Sequence, residues 1–98
     1  MNVAFADKDL DRLETDIQFD AGFPQPVVTA YRKRMQQIRA APDERDLYAQ
    51  KSLHFEKLKG DRSHQRSIRL NDQWRLILEF KGRGPQKVVV IVSIEDYH

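Results

Sequence analysis

The N-terminal part of the chain has a pattern of apolar and polar positions that predicts a short strand followed by two helices. Val3 and Phe5 alternate within residues 1–5, which is typical of a strand. Two apolar stripes at helical spacing follow, the first behind Asp7 as N-cap and the second between Pro26 and Pro42. The stripes consist of Leu10, Leu13 and Ile17, and of Val27, Tyr31, Met35 and Ile38. Gly22-Phe23-Pro24 separates the two predicted helices.

The C-terminal half has the period of β-strands. Residues 43–50 are expected to form a turn or short helix, residues 53–58 an extended segment, and residues 66–70, 74–80 and 87–95 three strands. Asn71-Asp72 predicts a tight turn between the first two of these strands. The last strand is apolar at nearly every position. We therefore expect it inside the sheet and covered on both faces over part of its length.

This order of elements predicts one α+β domain over residues 1–98, with two N-terminal helices packed on one face of a mainly antiparallel sheet. The other face is then open to solvent or a ligand. Arg69 and Arg75 alternate away from the large apolar residues of their strands, so we expect them side by side on this open face. Like charges so close destabilise a sheet unless an acid or an anion lies between them. Glu79 is the candidate acid, and phosphate is the candidate anion.

Composition narrows the classes of function. The chain has 98 residues, 40% hydrophobic and 33% charged, which is typical of a soluble globular domain. It has no cysteine, which excludes disulfides, thiolate zinc sites and a cysteine nucleophile, and accords with a cytoplasmic location. Its longest apolar run, residues 88–92, is far shorter than the roughly 20 residues of a membrane span. Three scattered histidines make a poor metal site, so we expect neither a metal nor a cofactor.

Charge is distributed unevenly, although the formal net charge is only +2. Residues 1–50 hold seven Lys/Arg against nine Asp/Glu, whereas residues 51–98 hold ten against six. Six of those cations lie between residues 57 and 75: Lys57, Lys59, Arg62, Arg66, Arg69 and Arg75. Such a cluster is either an anion-binding face or an ordinary solvated face of a sheet.

Groups capable of acid–base chemistry stand beside this cluster. The last four residues, Glu95-Asp96-Tyr97-His98, include a carboxylate, a phenol and an imidazole in succession, and His54 is a further candidate. A cationic face with such groups suits RNA cleavage without a metal. A base removes the proton of a ribose 2′-OH, the oxygen attacks the adjacent phosphate, and an acid protonates the leaving 5′-oxygen. This chemistry requires the 2′-OH that DNA lacks.

Three motifs together resemble one known family. They are Leu58-Lys59-Gly60-Asp61-Arg62, Asn71-Asp72-Gln73-Trp74-Arg75 and Asp96-Tyr97-His98. The chain resembles, over essentially its whole length, the HigB-type toxins of the RelE/ParE superfamily, also described as plasmid-maintenance killer proteins. The resemblance implies a RelE-like (microbial RNase-like) fold and a ribosome-dependent endonuclease that cuts mRNA in the 30S A site. It also implies a HigA-type antitoxin with a helix-turn-helix domain, through which alone the operator DNA is bound.

The resemblance also implies roles for individual residues. Lys59 is expected to contact or activate the substrate at the scissile phosphate, and Arg75 to bind phosphate. His98 is the expected general acid, with Tyr97 stacking on a base and Asp96 orienting or accepting a proton. As members of the charge cluster, and not through the motif match, the remaining cations are expected to bind substrate: Arg62, Arg69, Lys57 and Arg66.

One departure concerns the upstream base. Family members that use an upstream histidine have it three residues before the motif lysine, where this chain has Glu56. His54 lies two residues earlier, and a shift of two keeps a strand side chain on the same face, about 6–7 Å further along. The sequence leaves three alternatives: His54 takes part, Glu56 is the base, or the upstream group is dispensable.

Two other functions remain open at this stage. One is a ParE-like toxin that binds and poisons DNA gyrase without cleaving anything. The other is an inactive toxin retained as a corepressor. A pure gyrase binder does not require Lys59, Arg75 and the Asp-Tyr-His motif, so these residues favour the endonuclease.

Overall fold

The structure is a computed structural model in which residues 1–96 are described. Along the chain the strands and helices are β1 (Asn2–Phe5), α1 (Lys8–Thr15), α2 (Gln25–Ala40), α3 (Glu44–Ala49), β2 (Glu56–Lys57), β3 (Gln65–Arg69), β4 (Trp74–Lys81) and β5 (Val88–Asp96). Short 3₁₀ turns occupy Lys51–Leu53, Gly60–Arg62 and Gly84–Gln86. No helix in this part of the chain is long and apolar enough to cross a membrane.

The strands form one five-stranded sheet in the order β1-β5-β4-β3-β2. β1 runs parallel to β5, and all other neighbouring pairs are antiparallel. The predicted α+β class and mainly antiparallel sheet are therefore confirmed. β5 lies between β1 and β4, inside the sheet, as its apolar sequence predicts.

The core lies between the helices and one face of the sheet. Leu13, Met35 and Leu47, one from each helix, are fully buried in the same apolar cluster as Leu76 and Ile91 of the sheet. Tyr31 is buried there too, and its hydroxyl donates to the carbonyl of Leu10 at 2.7 Å. Burial raises the pKa of that hydroxyl, so Tyr31 is a neutral core residue.

The first helix is shorter than its apolar pattern predicts. It ends at Thr15, and the side chain of Ile17 is 80% exposed instead of continuing the stripe. Arg32 of α2 explains this end, because its guanidinium donates to the carbonyls of Leu13 and Asp16 at 3.0 and 2.9 Å. Cationic donors stabilise the last carbonyls of a helix.

The extended segment predicted for residues 53–58 is also shorter. Lys51–Leu53 is a 3₁₀ turn, and His54 follows in the left-handed region with φ 47°. Only Glu56 and Lys57 pair as a strand with β3. His54 therefore does not share a strand face with Glu56. That prediction is wrong, because His54 lies in a left-handed turn before the strand begins.

β5 contains an irregularity where it pairs with β4. Ser93 lies opposite Ile77, whereas the next β4 residue, Leu78, lies opposite Ile91. Val92 is therefore an extra residue, which makes a β-bulge. On the face of β5 away from the helices, Val88 and Val90 are half-buried.

Candidate functional site

The open face of the sheet contains a cavity of about 210 Å³. It is lined by Leu58, Arg62, Ser67, Arg75, Ile77, Glu95 and Asp96. Strand pairing brings most of these residues together: Ser67 of β3 lies opposite Ile77 of β4, and Arg75 of β4 lies opposite Glu95 of β5. Residues far apart in the sequence thus form one polar site.

Arg62 and Glu95 form a two-pronged ion pair at this cavity. The Arg62 Nη1 donates to Glu95 Oε1 at 3.1 Å, and its Nη2 donates to Oε2 at 2.9 Å. Ser93 Oγ donates to the same Oε2 at 2.8 Å. Because of the Arg62 hydrogen bonds, the pKa of Glu95 is held below its ordinary value, and that of Arg62 is raised.

This ion pair crosses the open face. Arg62 belongs to the turn that precedes β3, while Glu95 is on β5, two strands away in the sheet. Neighbouring strands are about 4.8 Å apart, so the two side chains together span about 10 Å above β4. Ile77, which faces away from the helices, is only 2% exposed.

The Asn71-Asp72 hairpin pairs Arg69 directly with Arg75, as the sequence predicts. Two other acids, and not the expected one, accompany these arginines. Arg69 forms an ion pair with Asp72 of the turn, and Arg75 has Glu95 opposite it. The expectation that Glu79 lies between the two arginines is wrong.

Glu79 instead belongs to a neighbouring group. Its Oε2 accepts from Gln65 Nε2 at 2.9 Å and lies 3.6 Å from His64 Nε2. Gln65 also accepts from Arg62 Nε at 2.8 Å. This chain of contacts fixes the orientation of the Arg62 guanidinium from the side opposite Glu95.

Lys57 and Arg66 lie on the other face of the sheet. They pair with each other across β2 and β3, and Arg66 pairs with the core residue Leu78. The Arg66 Nε is 3.8 Å from Glu44 Oε2 of α3. The prediction of one cationic face is therefore wrong for these two residues, because strand alternation separates them from Arg75.

The upstream candidates occupy different surroundings. Glu56 pairs with Ser67 in the sheet, so its side chain lies on the same face as the cavity. His54 is exposed in its left-handed turn, next to the buried Phe55. Lys59 is exposed directly before the turn that contains Arg62.

The terminal motif is only partly described. Asp96 is the last described residue, lines the cavity and accepts from Gln73 Nε2 at 2.9 Å. Tyr97 and His98 lie outside the described residues. Their predicted catalytic roles stay predictions.

Ser67 is the site residue that the sequence analysis missed. It is 1% exposed, and within residues 1–96 its Oγ has no hydrogen-bond partner. Its only sequence signal is a small polar residue at an open-face position of β3, between Arg66 and Ile68. Such a signal is too common to single out a site without the register of the neighbouring strands.

A second cavity, of about 380 Å³, lies at another edge of the sheet, near β1 and the β4–β5 loop. Its lining includes Arg39 and Lys87, but these cations are bound to acids, Arg39 to Glu14 at 2.6 Å and Lys87 to Glu44 at 2.7 Å. Within residues 1–96, no three His, Asp or Glu side chains are grouped to hold a metal ion.

Comparison with known proteins identifies the class and then the family. The YoeB/ParE toxin from Agrobacterium tumefaciens has a similar fold, with a TM-score of 0.63, 18% identity and 100% of each chain covered. The fold is thus that of a YoeB/ParE-type toxin. The family described as RelE-like toxins of type II toxin–antitoxin system HigB matches residues 3–98, so the chain belongs to the HigB-like toxins. No curated protein matches it. A type II toxin implies an antitoxin partner.

Proposed function

We propose that the chain is an endoribonuclease that cleaves mRNA in the 30S A site of the translating ribosome and so inhibits translation. The observation that supports this most is the single cavity that brings Arg62, Arg75 and Asp96 together on the open face. Phosphate-binding guanidinium groups beside a carboxylate are what phosphodiester cleavage requires.

The cleavage divides among groups on this face. Glu56 lies on the cavity side of β2 and serves as the base that removes the 2′-OH proton. Arg75 and Lys59 stabilise the charge that develops on the phosphate. His98 donates a proton to the leaving 5′-oxygen, Tyr97 stacks on a base and Asp96 orients the acid; these three roles rest on the motif match alone.

The size of the cavity supports dependence on the ribosome. At about 210 Å³ it is smaller than typical ligand pockets, which measure roughly 300–1,000 Å³. One phosphate and part of its nucleotide would fill a cavity of this size. The rest of the mRNA must therefore be positioned by another molecule, which the ribosome provides.

The proposal includes the partners. The antitoxin is of the HigA type, with a helix-turn-helix domain that binds the operator DNA. The chain itself contacts operator DNA only through that antitoxin and binds no membrane. Because its proposed target is the translating ribosome, the toxin acts in the cytoplasm.

Primer extension on mRNA in a purified translation reaction tests the proposal. We expect codon-phased cuts with the wild type and none when ribosomes are omitted. Arg75→Ala and His98→Ala abolish the cuts, whereas Arg83→Ala, which removes an equal charge from the exposed β4–β5 loop, retains them. Inhibition of gyrase supercoiling without any mRNA cut would favour the ParE-like toxin. Neither activity, with intact antitoxin binding, would favour the corepressor.

A further inference from the structure

We propose that Arg62 and Ser67 form a phosphate-binding subsite, and that the Glu95 carboxylate occupies it in the free chain. Substrate binding then exchanges this carboxylate for a phosphodiester of the RNA. The inference rests on the proposed function for the identity of the phosphate. A carboxylate of the chain itself thus competes with the phosphate for Arg62.

The geometry of the ion pair shows which ligand the guanidinium accepts. Arg62 directs two N–H groups at the two oxygens of Glu95, at 3.1 and 2.9 Å. A guanidinium binds two oxygens of a phosphate in the same parallel arrangement. Gln65 holds the remaining Nε at 2.8 Å, so the fork stays oriented towards the cavity after Glu95 leaves.

Ser67 is an independent indication of a ligand. Its side chain lines the same cavity, is almost completely buried and has no hydrogen-bond partner within residues 1–96. Buried hydroxyls are nearly always hydrogen-bonded, because an unsatisfied one destabilises the folded state. A phosphate oxygen in the cavity would accept a hydrogen bond from the Ser67 hydroxyl.

The exchange is feasible because Glu95 is held loosely. The side chains of Arg62 and Glu95 are 44% and 39% exposed, so water competes for both groups. Ser93 Oγ, which donates to Glu95 at 2.8 Å, remains a partner for the displaced carboxylate.

The first experiment titrates inorganic phosphate into the isotopically labelled chain and follows the Arg62 Nε–Hε signal by NMR. Glu95→Gln should bind phosphate about two- to fivefold more tightly than the wild type, the range expected for release of an exposed ion pair. Asp61→Asn is the matched control, since Asp61 acts on Arg62 through charge alone. Equal gains in the two variants, or no gain in Glu95→Gln, would overturn the proposal.

The second experiment separates a ligand role of Ser67 from a structural one. Ser67→Ala, in the Glu95→Gln background, should weaken phosphate binding about tenfold, because it removes one hydrogen bond to a charged group. Its thermal midpoint should stay the same or rise, because an unsatisfied buried hydroxyl is gone. Unchanged phosphate affinity would remove Ser67 from the subsite.

These measurements need neither ribosome nor cleavage. If phosphate binds as expected but mRNA is not cut, the endoribonuclease proposal fails while the subsite stands. If mRNA is cut but Glu95→Gln changes nothing in phosphate affinity, the subsite fails while the endoribonuclease stands.

Discussion

At the scale of single residues, the structure separates the two candidates for the base. Glu56 is paired with Ser67 and lies on the cavity face, whereas His54 is in a left-handed turn before β2 begins. Glu56→Gln should therefore slow single-turnover mRNA cleavage about 10²- to 10⁴-fold, the usual contribution of general base catalysis. His54→Ala should lower the rate by less than about threefold. The reverse order of the two effects would make His54 the base.

The Arg62–Glu95 ion pair predicts a dependence of stability on pH. The pKa of Glu95 is below its ordinary value of 4.5 in the folded chain, because Arg62 donates to its carboxylate. The pair therefore contributes its full stability above pH 4.5, and this is lost as the pH falls through the lowered pKa.

Thermal melts of the wild type and Glu95→Gln between pH 3 and pH 7 measure this contribution. The wild type should melt higher at neutral pH, by an amount that reflects an ion pair worth about 0.2–1 kcal/mol. The difference should shrink as the pH falls below 4.5. A difference that is constant over the whole range would show that the carboxylate is not stabilised by Arg62.

At the scale of elements, the β4–β5 connection depends on one glycine. Gly82 and Gly22 share the same φ of 81°, but a Cβ on Gly82 would lie 2.6 Å from the carbonyl oxygen of Gln86, while one on Gly22 would contact nothing within 4 Å. Gly22→Ala should lower the free energy of unfolding by about 1 kcal/mol, because of the backbone conformation alone. Gly82→Ala should lower it by clearly more, because the clash with Gln86 adds to the same conformational penalty. Urea denaturation of both variants tests this, and equal losses would contradict it.

Much of the element order could be predicted from the sequence, because periodicity and turn residues are local signals. The apolar stripe of α2 and the tight Asn71-Asp72 turn are examples, and the turn was enough to place Arg69 opposite Arg75. The end of α1 could not be predicted from its stripe. It depends on Arg32, which is distant in sequence and caps the last carbonyls of that helix.

The candidate site could be predicted only in part, because it too depends on contacts between residues that are distant in sequence. The motifs identified Lys59, Arg62 and Arg75, but the partner of Arg62 is Glu95, 33 residues away, and only strand order reveals it. β2 has two residues and follows a left-handed turn, so no alternation pattern could assign a face to Lys57. Only the pairing of Lys57 with Arg66 shows that its side chain lies away from the cavity.

At the scale of the whole molecule, the cations are divided between the two faces of the sheet, and this limits how many phosphates one RNA strand can contact. Four of the six clustered cations lie on or beside the cavity face: Lys59, Arg62, Arg69 and Arg75. Binding to a single-stranded RNA oligonucleotide should then weaken with salt at a slope of about −3 in a plot of log K against log [salt].

Paired variants test which face binds, with fluorescence anisotropy as the measurement. The double variant Lys57→Ala/Arg66→Ala should leave the slope unchanged, because both residues lie away from the cavity. Lys59→Ala/Arg75→Ala removes the same total charge and should make the slope shallower by about 1.4. Equal changes in both double variants would mean that RNA binds without preference for the open face.

The extra residue Val92 has a consequence for the terminal motif. Side chains alternate along a strand, so one inserted position inverts the parity of every residue after it. With Val92 in place, Glu95 lies on the side of Arg75 and Ile94 on the side of the core. Deleting Val92 would invert the faces of the residues after it, so the Glu95 carboxylate would turn towards the apolar layer. A single residue count in β5 thus determines whether Glu95 faces Arg62.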